Sequence, residues 1–341
     1  MRQAFRALCA LAAAALGTLP ASAADKVKAA HSGLVTDSVF FIAEARGYYK
    51  SENLDVEHIL FDSTAREIAP LGTGELDVGS GLTSASLFNA VGQGIGVRIV
   101  AGRSIAQPGD KANVLVVRKD LVDSGRYKSL ADLKGMKVAL TARSVSTASV
   151  LNEAAIKGGL KLADLETIYL GFPQQTGAFA NKAIDASMAV EPFASKWAAA
   201  GFAVPVASWG DIYPGYQASV ILYSEKLIQQ RRDVGVRFLR AIIKASRDYG
   251  AAIENGKFKT DAHANEIVKI ISAATNLSEA DIRAVSPSPV NVEIPLNVAG
   301  VRKDLAFMRA QGDVTQPDAT VERLVDLSLY EAAIKTLDPR K

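Results

Sequence analysis

Lys26-Val27-Lys28-Ala29-Ala30 and Lys137-Val138-Ala139-Leu140 open the same unit twice, 111 residues apart. In each copy a short strand pattern passes into a loop of small polar residues, His31 to Asp37 in the first and Thr141 to Thr147 in the second. A helix pattern follows: Ser38 to Arg46 stopped by Gly47, then Ser149 to Lys157 stopped by Gly158. Glycine ends a helix without steric penalty. A second strand comes next, Leu54 to Phe61 in one copy and Leu165 to Tyr169 in the other. Lys26 aligns with Lys137, Val27 with Val138, Gly47 with Gly158, Leu54 with Leu165 and Asp55 with Glu166. After a three-residue deletion, Leu76-Asp77-Val78 meets Ile184-Asp185-Ala186. One offset and one element order argue for duplication, and the period is far too long for a solenoid. Strand–helix–strand alternation predicts a parallel α/β sheet in each of two similar lobes. Between them, Thr64 with Glu67 three residues on has capping-box spacing and predicts a helix running to Gly72.

The N-terminus has the form of an export signal. Arg2 and Arg6 precede an apolar run from Ala7 to Leu16, and Ala21-Ser22-Ala23 offers a small-x-small cleavage site. The run is short of the roughly 20 apolar residues that cross a bilayer. Cleavage after Ala23 leaves a chain beginning at Ala24 and removes Cys9, the single cysteine. Arg6 and Leu8 also place Cys9 poorly for a lipid anchor, so a protein that is neither lipid-anchored nor disulfide-bonded is expected. With 49% hydrophobic and 22% charged residues the chain has material for a folded core. Loss of Arg2 and Arg6 takes the net charge from +3 to +1, and no basic cluster beyond Arg231-Arg232 points to nucleic acid.

Open α/β sheets bind ligands beyond the carboxyl ends of their strands, where helix N-termini present N–H groups. The loops there are 31–37 and 79–86 in the first unit, 141–147 and 188–192 in the second. All but the last are rich in Ser, Thr and Gly, which suits carboxylate, sulfonate, nitrate or phosphate groups. The candidate contacts are His31, Ser32, Gly33, Thr83, Ser84, Thr141, Arg143 and Ser144, with Gln175, Glu191 and Tyr216 beside them. Several carry a structural alternative. His31 either touches ligand or braces its loop, and Arg143 either neutralises an anion or is a solvated loop residue. Glu191 takes the place of Thr83 in the repeat. A carboxylate there favours an amine, amidine or hydroxyl; otherwise Glu191 shapes a helix start with Pro192 at the first helical position. Tyr216 stacks on a flat ligand or packs under a hinge, as Trp209 is expected to do. Arg103, after the strand pattern Val97 to Ala101, is either a cleft residue or, the preferred reading, a structural one; His58 and His263 are read as surface residues. The three histidines lack metal-ligand spacing. No nucleophile is placed beside a base, and Gly92, Gly94 and Gly96 precede no Lys-Ser/Thr of a phosphate loop. No cofactor, metal or catalysis is expected.

Further stretches carry a resemblance: Phe41-Ile42-Ala43-Glu44-Ala45-Arg46-Gly47-Tyr48-Tyr49-Lys50, Asn53-Leu54-Asp55-Val56 and Gly74-Glu75-Leu76-Asp77-Val78-Gly79. They continue with Ser129-Leu130-Ala131-Asp132-Leu133-Lys134-Gly135-Met136-Lys137-Val138 and Ile184-Asp185-Ala186 leading to Glu191-Pro192. In these the chain resembles the periplasmic solute-binding proteins of the nitrate/sulfonate/bicarbonate type. That group includes taurine, alkanesulfonate and nitrate binders and proteins for the pyrimidine precursor of thiamine. The resemblance implies a periplasmic binding protein type II fold, two α/β lobes joined by two crossover strands, with a helical C-terminal region. It implies a monomer that is not membrane-embedded and hands a small-molecule ligand to an ABC permease and its ATPase.

The expected organisation is a signal over 1–23, the first part of lobe one over 24–118, lobe two over 119–217, and a return to lobe one over 218–341. Asn113 to Arg118 and Ala218 to Tyr223 are the expected crossover strands. Helices are expected over 225–254, 262–274, 278–285, 297–311 and 318–337. The expected ligand is a small organic anion of the sulfonate or carboxylate class. A heteroaromatic amine such as a thiamine pyrimidine precursor is the alternative, and a ligand-presenting sensor is the alternative role. A related eukaryotic branch makes that pyrimidine with histidine and cysteine chemistry, which a chain without cysteine cannot copy.

Overall fold

The computed structural model describes residues 23–61, 64–289 and 291–337, so the export signal and Cys9 lie outside the described residues. Ten strands build two five-stranded sheets. The first sheet holds β1 (Asp25–His31), β2 (Leu54–Leu60), β3 (Val78–Gly81), β4 (Val97–Ile105) and β10 (Gln217–Ser224), in the order β2-β1-β3-β10-β4. The second holds β5 (Asn113–Arg118), β6 (Lys137–Leu140), β7 (Glu166–Tyr169), β8 (Ala186–Val190) and β9 (Ala203–Ser208), in the order β7-β6-β8-β5-β9. Both place two parallel pairings beside two antiparallel ones. The duplication visible in the sequence is thus a duplication of topology.

Register shows where the repeat is faithful. Lys26 pairs with Asp55 and Lys137 with Glu166, at the 111-residue spacing. The third strands slip: Ala29 faces Val78, whereas Val138 faces Ala186. A slip of two residues keeps every side chain on its face, because the strand period is two. Asp77 and Asp185 keep one role through it. Each carboxylate accepts a first-strand N–H, from Lys28 at 3.0 Å and Lys137 at 2.9 Å. Each also meets an arginine, Arg231 at 3.1 Å and Arg118 at 3.0 Å.

Apolar layers cover both faces of each sheet. Val27, Ile221 and Tyr223 pack with Phe40 of α1 (Ser38–Ala45) and with Phe238 and Ile242 of the 20-residue helix Arg232–Ala251. Val220 and Leu222 pack on the opposite face with Leu71 of α2 (Thr64–Thr73), Phe88 of α3 (Ala85–Gly92) and Met308 of the helix Val298–Ala310. Leu115, Val138 and Met188 meet Leu151 of α4 (Thr147–Lys157), while Val116 and Ala189 meet Phe179 and Trp197.

The strand Asn113–Arg118, expected to cross between lobes, instead hydrogen-bonds with β8 and β9 inside the second sheet. Likewise Ala218–Tyr223 lies inside the first sheet. Apolar strands earn their burial in a sheet, so the chain crosses in the less apolar runs before them, 106–112 and 209–216. The crossings lie side by side: Ala106 N–H donates to the Tyr216 carbonyl at 2.9 Å. Gly210 lets the Gln107 carbonyl approach where a Cβ would collide. The C-terminal region is helical as expected, but Arg231 divides the predicted 225–254 helix into Glu225–Gln230 and Arg232–Ala251. The predicted 318–337 helix is two short ones, Val321–Leu324 and Ser328–Thr336.

Candidate functional site

The loops at corresponding strand ends of the two lobes touch. Ser84 and Val145 form an isolated antiparallel bridge. Ala85 N–H donates to the Ser144 carbonyl at 2.9 Å, and Ser146 N–H donates to the Thr83 carbonyl at 3.0 Å. Thr83, Ser84 and Ser144 are therefore brought together, as expected, though bonded to one another. Ser84 also caps α3, its Oγ accepting the Leu87 N–H at 3.3 Å.

Beside this junction lies Asp304, a residue the sequence reading missed. Ser149 Oγ of lobe two donates to its Oδ1 at 2.5 Å and Thr83 Oγ1 of lobe one to its Oδ2 at 3.3 Å. The carboxyl is fully buried, and that burial pushes its pKa up to about 7. Next to it Lys303 joins Glu153 at 3.0 Å and sits over the Tyr213 ring. A signal existed. Asp304 falls in the stripe Val301, Leu305, Met308, and Glu67 falls in a similar stripe with Ile68 and Leu71. A carboxylate in an apolar helical stripe marks a buried acid. Glu67 does not close a capping box. It accepts the Ser80 N–H at 3.0 Å, and burial raises its pKa to about 8.

In the first loop of lobe one, Ser32, His31 and Asp37 cluster. Ser32 donates to Asp37 Oδ2 through both its N–H, at 3.0 Å, and its hydroxyl, at 2.5 Å. His31 is 1% exposed, accepts the Gly33 N–H on Nδ1 at 3.1 Å, and faces His58 Nδ1 with Nε2 at 3.2 Å. Burial lowers its pKa to about 4. The serine hydroxyl thus donates to the carboxylate and the imidazole is held by other partners, so no histidine stands against Ser32 as in a Ser-His-Asp triad. His31 braces its loop. His58 is not a free surface residue, since it holds His31. His263 is likewise engaged, its Nε2 lying 2.9 Å from the Asp248 carbonyl. Arg103 balances Asp37 at 3.1 Å and also donates to the Thr36 carbonyl.

Lobe two treats its expected contacts differently. Gln175 is buried with both ends used, Nε2 on the Leu170 carbonyl at 2.7 Å and Oε1 accepting Ser187 Oγ at 2.6 Å. Tyr216 packs with Trp209 and Tyr213, its hydroxyl 2.6 Å from Ser146 Oγ, so it has no ring face for a ligand. Arg143 is exposed and stacks over Tyr169, 4.9 Å from the ring centre. Thr141 is half-buried just past β6. Glu191 is buried, accepting from Ser195 N–H at 3.1 Å, Ser195 Oγ at 2.7 Å and, across the lobes, Ser286 N–H at 3.2 Å. Pro192 precedes the helix Phe193–Ala199 and does not open it. Asp110 in the first crossing feels Glu191, and burial raises its pKa.

Arg103 is buried and pairs with Asp37; Glu67, Glu191 and Asp304 are buried carboxyls as well and Asp110 is half-buried, and burial holds Glu67 largely, and Asp304 about half, in the neutral form at pH 7. Among the described residues no group of three His, Cys, Asp or Glu could hold a metal ion. No helix there is long and apolar enough to cross a membrane. An open pocket of about 490 Å³ lies at the ends of β1 and β2, lined by Ser32, Leu60, Phe61 and Arg66.

The NMT1/THI5-like family matches residues 37–255, which contain the loop junction and both crossings. The chain belongs to the NMT1/THI5-like family. A Brucella abortus (strain 2308) protein, whose name calls it a binding protein, is 26% identical over 228 residues, 63% of this chain and 63% of that one. Two solved structures share the fold of this NMT1/THI5-like protein. The alkanesulfonate-binding protein of Xanthomonas axonopodis pv. citri, bound to MOPS, matches with TM-score 0.68 and 18% identity over 90% of this chain and 99% of its own. The periplasmic nitrate-binding protein of Synechocystis PCC 6803 matches with TM-score 0.71 and 15% identity over 92% and 89%. A desulfurization enzyme also matches, with TM-score 0.59 and 14% identity over 91% and 99%, so the fold alone does not separate binder from enzyme.

Proposed function

We propose that this protein is the periplasmic substrate-binding component of an ABC importer, closing two lobes on a small molecule that carries an amine or hydroxyl. The carrying observation is the facing pair of loops, joined at Ser84 and Val145, with the buried Glu191 carboxyl bonded across the lobes to Ser286. Fold neighbours named for binding alkanesulfonates and nitrate support the binding role. The pattern of Arg2, Arg6 and Ala21-Ser22-Ala23 supports export.

Glu191 favours an amine- or hydroxyl-bearing ligand, of which aminopyrimidines are the first class to test. Glu191 Oε2 accepts one hydrogen bond and has capacity for another. The organic anion rests on Arg143, which is exposed on Tyr169, and on Arg103, whose charge Asp37 already balances. The anion remains the second reading because the Xanthomonas neighbour holds MOPS, a sulfonate.

The test is the melting midpoint of the exported chain across aminopyrimidines, aromatic acids, sulfonates and nitrate. A ligand that binds only the folded state must raise it, by about 2.7 kcal/mol of stability at a hundredfold excess over Kd. A rise with an aminopyrimidine, removed by Glu191→Gln, supports the reading. A rise with sulfonates alone returns the anion, and no rise across the whole panel contradicts the binding role.

A further inference from the structure

Four buried polar side chains at one end of the first sheet have an atom without a hydrogen-bond partner among the described residues: Ser80 Oγ, Ser219 Oγ, Arg103 Nε and Ser288 Oγ. Each residue is less than one-tenth exposed. Ser80, Ser219 and Arg103 stand on β3, β10 and β4, three neighbouring strands. Ser80 lies opposite Ile221, and Ser219 shares the Ile221 face by the two-residue period. Arg103 occupies a register irregularity, between Gly102 opposite Val220 and Ser104 opposite Ser219. Ser288 is held over the same end, since Ser104 Oγ donates to the Pro289 carbonyl at 2.6 Å. Gly102 allows this approach, because a Cβ there would run into the Pro295 carbonyl.

Such a cluster is poor structural design. A buried hydroxyl left unpaired is costly, and alanine or valine would pack against Val78, Ile221 and Tyr223 at no such cost. Orphans that collect at the carboxyl end of β3 and β4, beside the loop junction, need a partner that comes and goes. The charge there is already balanced by the pair Arg103 and Asp37. A new partner for Nε must accept a hydrogen bond without adding a second buried negative charge next to Asp37.

We propose that Arg103 Nε with the hydroxyls of Ser80 and Ser219 forms a subsite for an uncharged hydrogen-bond acceptor of the ligand, a carbonyl oxygen or ring nitrogen. This deepens the binding reading above and rests on it. The ligand then presents an acceptor to lobe one and an amine or hydroxyl to Glu191 in lobe two.

Ser80→Ala/Ser219→Ala and the wild type are compared by melting midpoint without ligand, and by titration with cytosine and benzylamine. Cytosine carries an amine and a ring carbonyl; benzylamine carries the amine alone. Without ligand, the double variant should melt at or above the wild-type midpoint, because groups kept for a ligand trade stability for function. Cytosine should bind the wild type and bind the variant about tenfold or more weakly, the loss of one or two neutral hydrogen bonds. Benzylamine should bind both alike. A lower ligand-free midpoint in the variant shows the serines to be structural and overturns the subsite. Unchanged cytosine affinity overturns it as well. If neither probe nor any panel member binds the wild type, the binding role itself fails, and the ligand-free comparison still decides the serines.

Discussion

The two lobes repeat one strand order, yet they handle polar groups at the cleft in opposite ways. In lobe two, Gln175, Ser187, Glu191 and Ser146 all have partners, and no unpaired buried atom among the described residues falls on a strand of its sheet. In lobe one, Ser80, Arg103 and Ser219 each leave an atom unpaired on a strand. Duplication therefore copied the scaffold and not the chemistry. The polar groups on the strands of lobe two are paired, while lobe one carries the unpaired groups that the proposed subsite assigns to a ligand acceptor. Fold follows from topology, and function from the particular side chains set upon it.

The largest effect should come from breaking the pairing in lobe two. Gln175→Ala strands the buried Ser187 Oγ and the half-buried Leu170 carbonyl, and a buried group left unpaired costs about 1–3 kcal/mol. Urea unfolding should show that loss with an unchanged m-value, whereas Ser80→Ala in lobe one should cost nothing. Equal losses in the two variants would erase the contrast.

A middle-sized effect concerns the lobe junction. Asp304 has a pKa raised to about 7 by burial in the folded protein, so the fold holds its proton where the unfolded chain has released it. Its contribution is fully present below the ordinary carboxylate range and is lost as pH rises through about 7. The slope is about 1.4 kcal/mol per pH unit inside that window. Asp304→Asn, a neutral isostere, should remove about half of the fall in stability between pH 5 and pH 7 and leave a stabler protein at pH 8. Glu67, raised to about 8, should keep the other half and extend it to about pH 8, and Glu67→Gln should remove that part. Superimposable pH profiles for wild type and Asp304→Asn would show that the carboxyl is not buried as described.

The smallest effect belongs to Arg143. Its exposed stacking on Tyr169 is worth about 0.5–1 kcal/mol at most. Arg143→Ala should shift the melting midpoint by a degree or two and leave ligand affinity alone. A tenfold loss in affinity for any anion would restore this arginine to the site.

Much of this architecture was legible in the sequence. The 111-residue echo gave the paired sheets, because strand starts and helix stops are set by local chemistry that survives duplication. The loops were legible for the same reason: 79–86 and 141–147 do meet. The crossings were misplaced because an apolar strand reads alike whether it bridges lobes or lies inside a sheet. Gln175 and Tyr216 looked like contacts because partners such as Ser187 and Ser146 are set by tertiary packing, which residue type does not reveal. Asp304 could have been found, since its helix places an acid in an apolar stripe. Ser219 could not, and Arg103, open in the sequence as a cleft or structural residue, could not be decided. Their interest lies in bonds they lack, and only a complete hydrogen-bond inventory exposes that.

The central claim is that two lobes close on a small molecule. Solution scattering of the chain from Ala24 onward, with and without the compound that most raises its melting midpoint, tests it most directly. The account predicts a smaller radius of gyration when that compound is bound, as hinge closure requires. Compound that binds at saturation while the scattering curves stay superimposable would contradict closure.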